Sequence, residues 1–247
     1  MRVPRLYYPY TISTGETLEL GKEATHYLHR VLRLKEDSSI VLFNGQGGEY
    51  SATLQQVKKS NSLAIIESFT DPQTDALLPI HLVQGISRGE RMQYVIQKAV
   101  ELGATSLQPV FTEFCEVKLI GDRAEKRKQH WQSLANSACE QCGRTRIMEI
   151  HPSIKLTHWL STHPQEAKQH IRLTLDLYAN TPLSDIADQP EEVTLLIGPE
   201  GGLSKDEITL AKQHGFQGIK LGPRILRTET ATAAAISAIN LTWGDWR

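Results

Sequence analysis

The sequence predicts an α/β protein in two parts, a small β-rich unit over residues 1–72 and a larger domain with a mainly parallel sheet over residues 73–247. Three observations predict it. Strand-like alternation dominates up to about residue 70, a polar stretch bracketed by Pro72 and Pro79 follows, and strands then alternate with helices to the end. A hydrophobic fraction of 40% with 22% charged residues is enough to bury full cores in both parts.

In the first part, Glu23–Leu34 carries Ala24, Tyr27, Leu28, Val31 and Leu32 at the spacing of one buried helical face. His26, Arg30 and Arg33 fall on a second, exposed stripe. Ser39–Phe43, Glu49–Val57 and Leu63–Glu67 read as strands, with turn chemistry at Asn44–Gly48 between the first two. In the second part, strands are expected at Ile80–Gly85, Ser106–Phe111, Arg172–Leu177, Val193–Ile197 and Gly218–Leu221. Helices are expected at Glu90–Leu102, Asp122–Cys142, Ser204–His214 and Thr228–Leu241, the third opened by a Ser204/Glu207 capping box.

The net charge is −1, so the chain as a whole is no polyanion binder by charge. Residues 1–35 are different, with an excess of three positive charges before His26 and His29 are counted. Arg2, Arg5, His26, Arg30 and Arg33 are therefore candidates for contact with RNA phosphates, although a solvated cationic surface explains the charge equally well. No apolar run approaches the roughly 18 residues of a membrane span. The first residues lack the apolar core of a signal peptide, which points to the cytoplasm. Cys139 and Cys142 form a C-x-x-C pair late in a helical pattern, with no second pair or His pair at zinc spacing; structural packing is expected and no metal.

Two segments carry the chemistry. Ile197-Gly198-Pro199-Glu200-Gly201-Gly202 ends a buried strand in a glycine-rich turn that feeds a capped helix. Ligands of open α/β sheets bind beyond the carboxyl ends of strands, and glycine lets backbone approach them closely. The spacing matches neither the dinucleotide fingerprint nor the phosphate loop, so a phosphate-binding site is disfavoured, while a purely structural turn stays open. The second segment, Leu221-Gly222-Pro223-Arg224-Ile225-Leu226-Arg227-Thr228-Glu229-Thr230-Ala231, again ends a strand and opens a helix. Its arginines flank an apolar pair, and Glu229 sits where a helix dipole favours negative charge.

In order and wording, these segments resemble the paired C-terminal motifs of the SPOUT methyltransferases. The chain more narrowly resembles the bacterial small-subunit (16S) ribosomal RNA uracil-N3 methyltransferases. Supporting segments are His26-Tyr27-Leu28-His29-Arg30-Val31-Leu32-Arg33, Gln97-Lys98-Ala99-Val100-Glu101-Leu102-Gly103 and Glu140-Gln141-Cys142-Gly143-Arg144, so the likeness runs along nearly the whole chain. The resemblance implies a C-terminal parallel sheet closed by a trefoil knot, a PUA-like N-terminal barrel that binds RNA, and a homodimer packed partly through the alanine-rich last helix. It implies S-adenosylmethionine as cofactor, held by Ile197, Gly198, Pro199, Glu200, Gly201, Gly202, Leu221, Gly222, Arg224, Ile225, Leu226, Thr230 and Ala231. Ribosomal RNA, within the assembled small subunit, would be the partner, with Arg144 and Arg224 added to the RNA contacts.

Transfer to uracil N3 requires loss of an imide proton and stabilisation of the anion that develops. Arg227 and Arg224 suit the second task, or phosphate binding. Glu200 or Glu229 could take the proton if burial raised its pKa. Arg144, with Glu140 and Gln141, could instead cap a helix or form salt bridges. Competing readings are a SPOUT enzyme for tRNA or large-subunit RNA and a non-catalytic ribosome-assembly factor; a nucleotide-dependent oxidoreductase lacks its fingerprint.

Overall fold

The computed structural model describes residues 3–58, 61–164, 169–176, 179–186 and 189–246, so Arg2 and Leu177 lie outside the described residues. Two units are formed. One takes the residues up to Asp75 together with Asn136–Ile147, and the other takes Ala76–Ala135 and Met148–Arg247.

The first unit is built on β1 (Arg5–Tyr7), β2 (Thr17–Leu20), β3 (Ser39–Phe43), β4 (Glu49–Val57) and β5 (Ser62–Thr70), with a short helix α1 (Lys22–His26) after β2. The sheet runs in the order β1-β3-β4-β5-β2, antiparallel except for the parallel β1–β3 pair. Bulges at Ser51/Ala52 and Leu54/Gln56 bend β4 on β5. Its core holds Leu6, Leu20, Leu28, Ile40, Leu42, Leu54 and Ile66.

The helix expected over Glu23–Leu34 is shorter than its periodicity suggests. After α1 the chain winds into a π turn over Tyr27–Val31, and Arg33 takes a left-handed φ of 52°. The wider turn rotates the later side chains out of phase. Leu28 stays fully buried, but Tyr27 and Val31 turn outward, at 40% and 58% exposure. His26 and Arg30 remain exposed, whereas Arg33 has left the helix, so the three do not form one helical stripe.

The second unit contains β6 (Ile80–Gly85), α2 (Gly89–Glu101), β7 (Ser106–Phe111), α3 (Asp122–Cys142, its end belonging to the first unit), β8 (Glu149–Ile150), β9 (Ile154–Lys155), α4 (Leu156–Thr162), β10 (His170–Leu175), β11 (Glu192–Ile197), α5 (Lys205–Gln213), β12 (Phe216–Ile219) and α6 (Thr228–Thr242). All the strands are parallel, in the order β12-β10-β11-β6-β7-β8, with β9 continuing beside β7. The break between β8 and β9 falls opposite Gln108 and Pro109, where proline has no N–H to donate. Val193, Leu195, Leu196 and Ile197 of central β11 are all buried, each worth roughly 1.5–3 kcal/mol of apolar transfer. The α/β class and parallel sheet expected from the sequence are thus observed.

β12 lies at the sheet edge, yet α6 starts beside β11 and β6: the Thr228 hydroxyl donates to Gly198 O (2.8 Å), and Gln84 Nε2 donates to Thr228 Oγ1 (3.1 Å). The chain after β12 therefore returns across the carboxyl ends of β10 and β11. That return is the path a knotted topology requires. α6 then packs against α2, burying Ala231, Ala235, Ile236 and Ile239.

Candidate functional site

The carboxyl ends of β10, β11 and β12 enclose a cavity of about 310 Å³. Its walls are the two loops singled out in the sequence. Residues 197–202 line one side, and Leu221, Gly222, Arg224, Ile225, Leu226 and Ala231 line the other. The glycine turn is compact because Gly198 has no side chain: a Cβ there would lie 2.6 Å from Gly202 C and 2.8 Å from Leu203 N, both backbone atoms. Gly202 adopts φ 74°, the left-handed region open to glycine. Ser204 then closes the turn, its hydroxyl accepting from Glu207 N while Glu207 Oε2 accepts from Ser204 N. Glu207 Oε1 also accepts from Glu113 N (2.8 Å), which fastens the loop after β7 to the start of α5.

Beneath the loops, Gln84 is fully buried and organises the junction. Its Nε2 donates to Gly85 O, Gly198 O and Thr228 Oγ1, and its Oε1 accepts from Thr232 Oγ1 (2.9 Å). One amide therefore ties β6, the glycine turn and α6 together.

Of the residues expected to bind a cofactor, Thr230 alone is not part of the wall; it is exposed. Helical geometry explains this, since Thr228 and Ala231 share the inward face, while Thr230 is turned by roughly 200° from Thr228. Thr228 and Asp176 belong to the wall and were missed. Their signals were present: a hydroxyl at the first position of a helix that follows a ligand loop, and an acid just beyond a buried strand. Leu175, Leu203, Ile208, Ile219 and Lys220 complete the lining. Asp176 is 5% exposed and accepts from Lys212 Nζ at 3.0 Å.

The expected catalytic groups separate. Glu200 lines the cavity, but it is no base with a raised pKa. Partial burial pushes its carboxyl up, yet hydrogen bonds from Arg88 N–H, its own N–H and Arg91 Nη1, together with the Arg91 charge, leave it below the ordinary range. It is an ionised, poorly basic carboxylate. Arg227 is exposed at the N-cap of α6 and is not among the lining residues. Glu229 lies in the first helical turn, also outside the wall, with Oε2 buried and without a hydrogen-bond partner among the described residues.

The expected RNA contacts also divide. Arg224 is exposed at the cavity rim. Arg5 is not available: its side chain is 8% exposed, pairs with Glu49 at 2.9 Å and donates to Cys139 O and Arg144 O. Arg144 is likewise buried, pairing with Asp75 at 3.2 Å, so its salt-bridge alternative is the one observed. Asp75 further accepts from Thr145 Oγ1 and Arg146 N. Cys139 is buried in α3, and among the described residues no group of three or more metal-ligating side chains is placed to hold an ion.

Comparison with known proteins adds to this geometry. A family described as an RNA methyltransferase domain matches residues 74–240, and one described as an RNA methyltransferase PUA domain matches residues 20–67. The ribosomal RNA small subunit methyltransferase E of Buchnera aphidicola is 36% identical over 245 residues, 99% of this chain and 98% of that protein. The crystal structure of a protein of the same name from Neisseria gonorrhoeae, bound to S-adenosyl methionine, superposes with a TM-score of 0.93 at 37% identity and covers both chains fully. A methyltransferase from Legionella pneumophila, solved in complex with SAM, gives 0.93 at 40% identity over 99% of this chain and 100% of that one.

Proposed function

The chain belongs to the ribosomal RNA small subunit methyltransferase E family, and from that membership we propose that it uses S-adenosylmethionine to methylate N3 of a uridine in small-subunit (16S) ribosomal RNA. The observation that carries this reading is the two-loop cavity at the carboxyl ends of β10–β12. It offers what this cofactor needs: apolar walls from Leu175, Ile219, Leu221 and Leu226 for a flat purine, and a glycine-lined backbone for polar contacts. When bound, S-adenosylmethionine supplies an electrophilic methyl group.

The protein's own task is to present N3 and absorb the charge that develops as its proton leaves. Arg227, exposed beside the cavity loop, serves as the cation for the uracil carbonyl oxygens. Of the two candidate proton acceptors, Glu200 lines the cavity but is made a weaker base by Arg91, while Glu229 has an Oε2 without a hydrogen-bond partner among the described residues and lies outside the cavity wall. The target base must leave its stack for its Watson–Crick edge to be reached. Arg30, Arg33 and Arg224 supply exposed positive charge for the RNA backbone, and His26 adds an exposed ring that can hydrogen-bond a phosphate. The reading includes the assembled small subunit as substrate, a homodimer that uses α6, and the cytoplasm as the site of action.

Isothermal titration with S-adenosylmethionine, followed by transfer of labelled methyl to small subunits lacking the modification, tests this reading. Cofactor binding and label in small-subunit RNA are expected. No cofactor binding would point to an assembly factor, and label only in tRNA or large-subunit RNA to a different substrate.

A further inference from the structure

The 198–202 turn is a shared wall. Glu200 and Gly201, which face the cofactor cavity, also line an open cleft of about 690 Å³ on the turn's other side. The cleft is completed by Arg88 and Arg91 at the start of α2 and by Glu113, Phe114, Cys115 and Glu116 after β7. It too lies at the carboxyl ends of parallel strands, where open α/β sheets bind ligands.

Its side chains set an exposed aromatic ring and two arginines beside the carboxylates of Glu113, Glu116 and Glu200. Phe114 lies against the Gly201 backbone so closely that a Cβ on Gly201 would come 2.7 Å from Phe114 Cβ, yet the residue is 45% exposed. An exposed ring fixed on a ligand loop can receive a base face to face. Arg88 has a 65% exposed side chain and pairs through Nη2 with Glu116, itself 61% exposed. That surface pair contributes little, and Glu116 engages one edge of a five-donor fork, so Arg88 can hold Glu116 and a phosphate together. Arg91 differs: it is committed to Glu200 Oε1 at 3.0 Å, where it steadies the shared wall and masks its charge.

We propose that this cleft receives a nucleotide flanking the acceptor, with its base stacked on Phe114 and its phosphate on Arg88, so that the acceptor base itself is free to reach the cofactor side of the glycine turn. The proposal rests on the methyltransferase reading above. It assigns Phe114 and Arg88 to substrate contact and Arg91 to positioning the wall.

The test is steady-state methyl transfer to unmodified small subunits by the full-length protein and its variants, with S-adenosylmethionine affinity measured in parallel. Phe114→Ala is expected to raise KM for subunits roughly 10-fold, Phe114→Trp to restore it, and cofactor affinity to stay within about twofold. Arg88→Ala is expected to lower the slope of log KM against log salt by about one. A second readout does not depend on turnover: ultraviolet cross-linking of 4-thiouridine-substituted subunits to the wild-type protein, with the linked peptides mapped by mass spectrometry. Linkage to the 112–118 segment is expected. Unaltered KM and salt slope in these variants, or cross-links that avoid this segment, would overturn the proposal. A wild-type protein that cross-links there but transfers no methyl would instead contradict the reading of its activity.

Discussion

The Thr228 hydroxyl donates to the Gly198 carbonyl oxygen across 2.8 Å, joining the two cavity loops at a point where the backbone of one meets the first helical residue of the other. The Thr228 hydroxyl oxygen in turn accepts from Gln84 Nε2, so Thr228 is part of a buried network rather than an isolated contact. Thr228→Val keeps the shape and removes the hydroxyl. Stability is expected to fall by about 1–2 kcal/mol, and S-adenosylmethionine affinity by roughly tenfold as the loops lose register. Chemical denaturation and calorimetry read the two effects separately; cofactor affinity equal to wild type would show that this bond does not shape the site.

Arg227 is solvent-exposed and no ion pair restrains it among the described residues. Arg227→Ala is expected to abolish methyl transfer while fold and cofactor binding stay largely intact. Circular dichroism, calorimetry and single-turnover transfer to unmodified subunits check the three claims. Full activity would remove Arg227 from the site.

Asp75 holds three consecutive residues, Arg144, Thr145 and Arg146, through its two carboxylate oxygens. The Asp75 and Arg144 side chains are only 18% and 8% exposed. Asp75→Ala is expected to cost about 3 kcal/mol of stability, because a buried guanidinium loses its counter-ion. Urea denaturation measures this, and a loss under about 0.5 kcal/mol would contradict a structural role for Arg144.

At the amino ends of the strands lies a second cavity, about 210 Å³, where His81, His151 and His170 meet Glu192 and Arg172. Burial lowers the pKa of His81, Glu192 raises it, and His151 lowers it further. Burial also lowers His170, with Glu192 opposing and Arg172 and His81 adding to the shift. With both values depressed, the unfolded chain binds more protons than the folded one just below the ordinary histidine value of about 6.5. Stability from these groups is complete above that pH and is lost as pH falls through the depressed values. Melting curves from pH 7 to pH 5 should fall more steeply for the wild type than for His81→Gln/His170→Gln, by about 2–4 °C. Parallel curves would place the acid sensitivity elsewhere.

Much of this was legible in the sequence, for identifiable reasons. β7 and α3 have the boundaries their periodicity gives, and the Ser204/Glu207 box forms both of its hydrogen bonds. The cavity loops were legible because their order and wording resemble the paired motifs of a known family; glycine spacing alone leaves a structural turn open. Local patterns did not reveal the π turn at Tyr27–Val31, which preserves apolar spacing while shifting its phase. Nor did they reveal the fate of Arg5 and Arg144, since charge alone does not distinguish a cation that meets a phosphate from one buried against Glu49 or Asp75. The ion pair that lowers the Glu200 pKa was hidden for a similar reason. The partner Arg91 stands 109 positions away, and only the fold brings them together.

Mass-spectrometric mapping of methylated uridines in 16S ribosomal RNA, from cells with and without this protein, tests the central claim most directly. We expect one N3-methyluridine to vanish in its absence and to return when the purified protein and S-adenosylmethionine are added to the unmodified small subunits. An unchanged methylation map, or a lost mark on any atom other than uracil N3, would contradict it.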